Sequence, residues 1–188
     1  FRRVLFRSHF GAAMASYGST PLFHIVGITP ECRRLTDVGG ETLNSKSVTG
    51  EMLDALKQPF TAIGDSLDVV VFAAPQLSLV EMAELANLCD GRKRAETTDV
   101  IVCTSAQVYS DAVSMGYVKQ IENFGGRVLV GTCFYQQYAR EIGEANGWTR
   151  LLSNSAKIVN ILGGYGYQPA LGTMQACVAS AEKGVILS

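Results

Sequence analysis

The stretch that decides the fold is DVIVCTSAQVYSDAVSMGYVKQIENFGGRVLVGTC, residues 99–133. It opens on an unbroken apolar run, Val100-Ile101-Val102-Cys103, and closes on another, Val128-Leu129-Val130. Between them lie two segments of helical composition, AQVYSDAVSMG (106–116) and YVKQIENFGG (117–126), each closed by glycine. Apolar runs without alternation belong to strands buried on both faces, as in parallel sheets covered by helices. Two such strands joined by a helical crossover run parallel, with a right-handed connection.

The same alternation extends in both directions. LDVVVFAA (67–74) is an apolar strand that Pro75 punctuates. LSLVEMAELANLCDG (77–91) is the clearest helix, with Ser78 and Glu81 spaced as a capping box and Gly91 at its end. DVIVCTS (99–105) and RVLVGTC (127–133) are the next strands. QQYAREIGEANG (136–147) is a helix with charged faces, and RLLSNS (150–155) a short strand. SAKIVNILGG (155–164) and TMQACVASAEKG (173–184) close the chain as helices. Upstream, PLFHIVGIT (21–29) reads as a strand and VTGEMLDALKQPF (48–60) as a helix with Thr49 as N-cap, joined by a loop rich in turn formers. The expected fold is α/β: a mostly parallel sheet flanked by helices, in three layers, forming one domain over residues 9–188. Residues 1–8, FRRVLFRS, carry three arginines and no following apolar run, so they make a poor signal peptide. They resemble translated sequencing adapter. We read them as a non-native leader, with the natural N-terminus expected further upstream.

Composition narrows the function classes. The chain has 188 residues, about one domain's length, and an apolar fraction of 47% that suffices for a sizeable core. Sixteen basic residues against seventeen acidic ones leave a net charge of -1. That balance argues against nucleic acid or a membrane surface as partner. No apolar run reaches the roughly 20 residues of a membrane helix. The five cysteines, Cys32, Cys89, Cys103, Cys133 and Cys177, are scattered, odd in number and without a CxxC pair. They suit neither a disulfide framework nor a zinc finger, and read as reduced thiols of a cytoplasmic protein.

In open α/β sheets, ligands bind beyond the carboxyl ends of the strands. Three predicted strands end in small polar or thiol groups: Cys103-Thr104-Ser105, Gly131-Thr132-Cys133 and Ser153-Asn154-Ser155. Each is followed by a helix, whose N-terminus suits an anion. The same residues are also the usual N-caps, and both readings stand. Cys133 and Cys177 are 44 residues apart, a weak metal signal; core packing is the competing reading. Cys89 shares a helix face with Met82, Leu85 and Ala86, and Cys103 lies in an apolar strand, so both read as core. Cys32 sits in a polar loop and reads as exposed. His24 reads as a hydrogen-bonded core histidine or a catalytic one. Lys157, near a helix start where a cation is not favoured, points to an anionic partner or to a solvated side chain. GGYGYQ (163–168) lacks the Lys-Ser/Thr of a P-loop and reads as a flexible loop.

Several of these stretches, in order, resemble the aconitase X family. GAAMASYGSTPLFHIVGITPE resembles that family's small-residue patch running into a His-Val-Val-Gly-Thr-Pro-Glu-like sequence. LSLVEMAELANLCDGRK is similar to its Leu-Glu-Leu-rich helix ending in Gly-Arg-Lys. VIVCTSAQVYSDAVSMGYVKQIENFGGRVLVGTC is similar to its Thr-Ser-Arg…Gly-Gly…Asp-Thr-Cys block, and LLSNSAKIVNILGG to its Asn-Ser-Gly-Lys segment. The resemblance covers residues 11–184. It implies an aconitase-like fold and a hydro-lyase that removes water from a hydroxy acid such as cis-3-hydroxy-L-proline or mevalonate 5-phosphate.

The resemblance also implies an iron–sulfur cluster held by three cysteines and acting as Lewis acid. It places Cys133 on one ligand position and Cys177 on a second, with the third in an upstream part of the protein. Thr104, Ser105, Asn154, Ser155 and Lys157 become candidates for clamping the substrate carboxylate, with His24 and Ser16 along the same edge. The implied partners are that upstream part and an aconitase X small subunit or fused small domain, without which the chain alone is expected to be inactive. Three positions depart from the family pattern: Gly131, Ala106 and Ala156 replace its aspartate, arginine and glycine. Two other readings stay open. One is a Rossmann-like small-molecule or nucleotide-binding domain, which needs a glycine-rich turn after its first strand that the sequence lacks. The other is a catalytically inert packing domain.

Overall fold

The structure, a computed structural model, describes residues 2–40, 43–57 and 64–187. A helix, α1 (Arg2–Gly18), comes first, and α2 (Gly50–Lys57) follows after an irregular stretch. The remainder alternates: β1 (Val69–Leu77), α3 (Leu79–Cys89), β2 (Asp99–Thr104), α4 (Ala106–Ser114), α5 (Tyr117–Phe124), β3 (Gly126–Val130), α6 (Ala139–Asn146), β4 (Arg150–Ser153), α7 (Ala156–Leu162), β5 (Gln168–Leu171) and α8 (Met174–Lys183). The five strands form one sheet in the order β3-β2-β1-β4-β5, and every neighbouring pair is parallel. This is the α/β class expected from the apolar strands.

The sheet has an apolar layer on each face. Successive residues of β1 alternate between them, as the two-residue period of a strand requires. Val70 and Phe72 pack with Met82 and Leu85 of α3, Phe124 of α5 and Val178 of α8. Val69 and Val71 pack with Phe134 and with Ile158 and Leu162 of α7. The helices start where capping predicts. Ser78 accepts from the Glu81 N–H while the Glu81 carboxylate takes the Ser78 N–H, a complete capping box. Ser105, Ser155 and Thr173 cap α4, α7 and α8. Thr49 Oγ1 accepts from Met52 N–H at 3.3 Å. The helix expected over 48–60 is described only as far as Lys57.

Four expectations need correction. Residues 21–29 are not a strand: Ile28 and Thr29 N–H both donate to the Ile25 carbonyl, and Gly27 has φ 72°, so the apolar run is spent on a local turn. Cys32 is not exposed; its side chain is fully covered and Sγ lies 3.6 Å from the Arg34 carbonyl. The segment after the glycine-rich loop forms a fifth strand, β5, at the sheet edge, where Pro169 costs no central ladder bond. β1 does not stop at Pro75. It bulges: five residue steps from Phe72 to Leu77 face two on β2, from Val102 to Thr104. Ala74, inside the bulge, has φ 50°, a left-handed conformation that costs a non-glycine residue about 1–3 kcal/mol.

Candidate functional site

The chain builds β1, β2 and β3 outward on one side, then returns to lay β4 on the other side of β1. The crevice where strand order reverses therefore lies between the carboxyl ends of β1 and β4, the usual ligand position in such sheets. Hydroxyls and one amide stitch its rim. Ser153 Oγ donates to the Val71 carbonyl at 2.6 Å, and Ser155 Oγ to the Ala74 carbonyl at 2.5 Å. Thr104 Oγ1 donates to the Leu77 carbonyl at 2.7 Å, and Gln76 Nε2 to the Thr132 carbonyl at 2.9 Å. The β1 bulge is thereby tied to β2, to β4 and to the segment after β3.

Cys133 sits in this rim, buried with 7% of its surface exposed. Burial pushes its thiol above the ordinary value, while the N–H groups of Tyr135 and Ala74, the charge of Lys157 and the N–H of Phe134 pull it back. Backbone donors and a cation around one sulfur are what a thiolate needs. Lys157 comes from the first turn of α7, and its Nζ lies 5.7 Å from the centre of the Tyr135 ring. Cys103 lies in the same apolar layer, and its thiol is pushed up to about 12 by burial and then by Cys133.

Cys177 is elsewhere. It belongs to the opposite apolar layer, under α8, fully buried, and burial alone raises its thiol far above the ordinary value. The sheet separates it from Cys133, so the structure does not bring the two expected ligands together. Among the described residues there is no group of three or more His, Cys, Asp and Glu side chains able to hold a metal.

The remaining candidates divide. The Thr104 hydroxyl is committed to a backbone carbonyl, the Ser105 hydroxyl caps α4, and that of Ser155 does both. These residues shape the rim. His24 stands apart, with Nδ1 3.0 Å from Glu31 Oε1. Ser16 lies on α1 and accepts from Asn160 Nδ2 of α7 at 2.8 Å. Asn154 differs from all of them, because its Oδ1 is buried and has no hydrogen-bond partner among the described residues.

Asn154 lines a pocket of about 350 Å³ together with His9, Glu81, Glu84, Thr173 and Gln175. His9 Nε2 lies 2.9 Å from Glu81 Oε1, and Ser78 holds the other carboxylate oxygen by N–H at 2.9 Å and by Oγ at 2.6 Å. The sequence shows Glu81 as a capping residue. Its second role, facing His9 from 72 residues away, has no sequence signal. The glycine-rich stretch at 163–168 forms a short 3-10 turn, Gly163–Tyr165, directly after α7 and runs into β5 at Gln168, so it does not follow β1.

Comparisons with known proteins bear on this geometry. Residues 67–183 match the family model of the aconitase X third domain, and residues 8–58 that of the aconitase X second domain. The chain is 31% identical over 179 residues to the cis-3-hydroxy-L-proline dehydratase of Pseudomonas aeruginosa, covering 93% of this chain and 30% of that protein. It is 34% identical over 155 residues to the phosphomevalonate dehydratase large subunit of Methanothermobacter thermautotrophicus, covering 82% and 37%. The holo-form crystal structure of Thermococcus kodakaraensis aconitase X matches with a TM-score of 0.75 and 23% identity, over 95% of this chain and 44% of that one. The chain thus spans less than half the length of these relatives.

Proposed function

The chain belongs to the aconitase X family, and from that premise we propose that it forms part of a hydro-lyase removing water from a small hydroxy acid, of the kind named by cis-3-hydroxy-L-proline or mevalonate 5-phosphate. The observation that carries this reading is the placement of Cys133. A thiol ringed by three backbone N–H groups and a lysine stands at the switch point of a parallel sheet.

The cofactor proposed is an iron–sulfur cluster. Cys133 fits one thiolate ligand of such a group, because backbone N–H groups and the charge of Lys157 counter part of the effect of burial on its sulfur. Cys177 does not fit beside it, since it faces the other apolar layer. The remaining ligands are therefore assigned to other parts of the full-length protein. A bound cluster supplies a Lewis acid for the leaving hydroxyl. This chain's own residues hold the Cys133 sulfur through the Ala74, Phe134 and Tyr135 amides. Lys157 offers a positive charge for a substrate carboxylate, and Asn154 an amide. Full activity is proposed to need the rest of the polypeptide and a small subunit, with the isolated chain inactive.

The test uses the polypeptide extended to the length of its relatives and co-expressed with its small subunit. Cys133→Ser is expected to lose both the visible charge-transfer absorption and dehydration of hydroxy acids. Cys177→Ser is expected to keep the absorption. A Cys133→Ser enzyme with unchanged iron content and turnover would overturn the assignment.

A further inference from the structure

Tyr135 reaches two groups of the switch-point site at once. We propose that it is a positioning residue, whose amide anchors the Cys133 sulfur and whose ring holds the Lys157 ammonium nearby, aimed at a substrate carboxylate. Its own placement is over-determined. Tyr135 is the middle residue of a 3-10 turn, Phe134–Gln136, and Gln136 N–H donates to the Cys133 carbonyl at 2.9 Å. Gln137 Nε2 reaches back to Thr132 Oγ1 at 2.6 Å. Phe134 is buried against the rings of Trp148 and Tyr167, with centroids 6.4 and 6.2 Å away.

Lys157 comes from α7 and is partly buried. Three other partly buried cations, Arg92, Arg94 and Arg150, each face a carboxylate within 3.8 Å. Lys157 has no carboxylate partner among the described residues, and its Nζ lies 5.7 Å from the centre of the Tyr135 ring. That is inside the roughly 6 Å over which a ring face attracts a cation. A lysine stem is long and flexible, so without such a hold the ammonium would swing out to water. An aromatic face attracts a cation without neutralising it, which a carboxylate at the same place would do. The charge therefore stays beside the sulfur and stays open to an anion. The amide that meets the sulfur belongs to the same residue, so one short turn sets the spacing of sulfur and charge. Leucine or phenylalanine at this position keeps that amide, which lets the two roles be separated.

The carboxylate target rests on the hydro-lyase reading; the ring's hold on the amine does not. NMR of the 188-residue chain, carrying carbon-13 lysine, reads the hold without turnover. The Lys157 Hε resonances, assigned by their loss in Lys157→Met, should lie upfield of those of the other lysines under the ring current. They should move back in Tyr135→Leu and stay in place in Tyr135→Phe. In the full-length polypeptide with its small subunit, Tyr135→Leu should raise the KM for the hydroxy acid about three- to thirtyfold with kcat little changed. Tyr135→Phe should keep the wild-type KM, and both variants should keep the visible charge-transfer absorption. In a Lys157→Met background, Tyr135→Leu should add nothing to KM. Lysine resonances indifferent to Tyr135→Leu, an unchanged KM in that variant, or a KM penalty of equal size with and without Lys157 would overturn the proposal. A wild-type polypeptide without dehydratase activity would sink the hydro-lyase reading and the carboxylate target together, while the resonances decide the ring's hold on the amine by themselves.

Discussion

At the scale of residues, Glu81 and Cys133 are buried groups whose neighbours oppose the effect of burial. Glu81 is 5% exposed, and burial raises its pKa; hydrogen bonds from His9 and Ser78 outweigh that and leave it below the ordinary 4.5. A carboxyl depressed in the folded state stabilises the fold above its unfolded value, and that contribution is lost as pH falls through the folded one. The melting temperature should therefore drop as pH falls below about 4.5, with a shallower drop in Glu81→Gln. The same variant should cost about 1–3 kcal/mol at neutral pH, read by urea denaturation. Cys133 is the most accessible of five buried thiols, and Lys157 is the cation that favours its thiolate. Iodoacetamide at pH 8 should label Cys133 before the other four, and Lys157→Met should slow that labelling, both followed by peptide mass spectrometry.

At the scale of elements, packing overrides local preference in α6. Alanine is a better helix former than glycine by about 1 kcal/mol. A Cβ on Gly143, however, would lie 2.6 Å from Tyr167 Oη and 2.8 Å from its Cζ. Tyr167 is buried and donates to the Ala139 carbonyl at 2.7 Å, so it has nowhere to retreat. Gly143→Ala should lose about 1–3 kcal/mol overall, measured by chemical denaturation. Apart from β5, the elements from β1 to α8 were legible because buried strands and capped helices carry local signals: Val69 to Phe72, the Ser78–Glu81 box, the glycines at 116 and 125. The turn at 26–28 was not, since an apolar run does not reveal whether a neighbouring strand will pair with it. β5 was too short and too rich in proline and glycine around it. Residues 2–8 form the first turns of α1, although their composition set them apart. The site was half legible. The strand before Cys133 could be read directly, but it was expected to run over 127–133 and β3 stops at Val130, so Cys133 stands in the segment after it. Which face of the sheet a helix covers, and therefore that Cys177 lies across it, is a property of the crossovers and leaves no trace in spacing.

At the scale of the molecule, exposed apolar side chains are denser before β1 than after it. Leu22, Val26, Leu35, Leu43, Val48, Met52 and Leu53 are all exposed within 32 residues, as many as in the whole of 67–187. A surface of that kind is normally covered. The isolated chain should elute larger than a 20.2 kDa monomer as its concentration rises, and the full-length polypeptide should not. The second-domain match and the third-domain match are also not mechanically separate, because α1 reaches into the latter through His9–Glu81 and Ser16–Asn160. The β1 bulge carries the further consequence. Five steps against two hold the Ala74 amide over the Cys133 sulfur while still delivering Leu77 to its partner Thr104. What the gene must preserve between codons 73 and 76 is first of all their number. A changed codon alters one side chain, whereas a codon gained or lost moves Leu77 out of its register with Thr104.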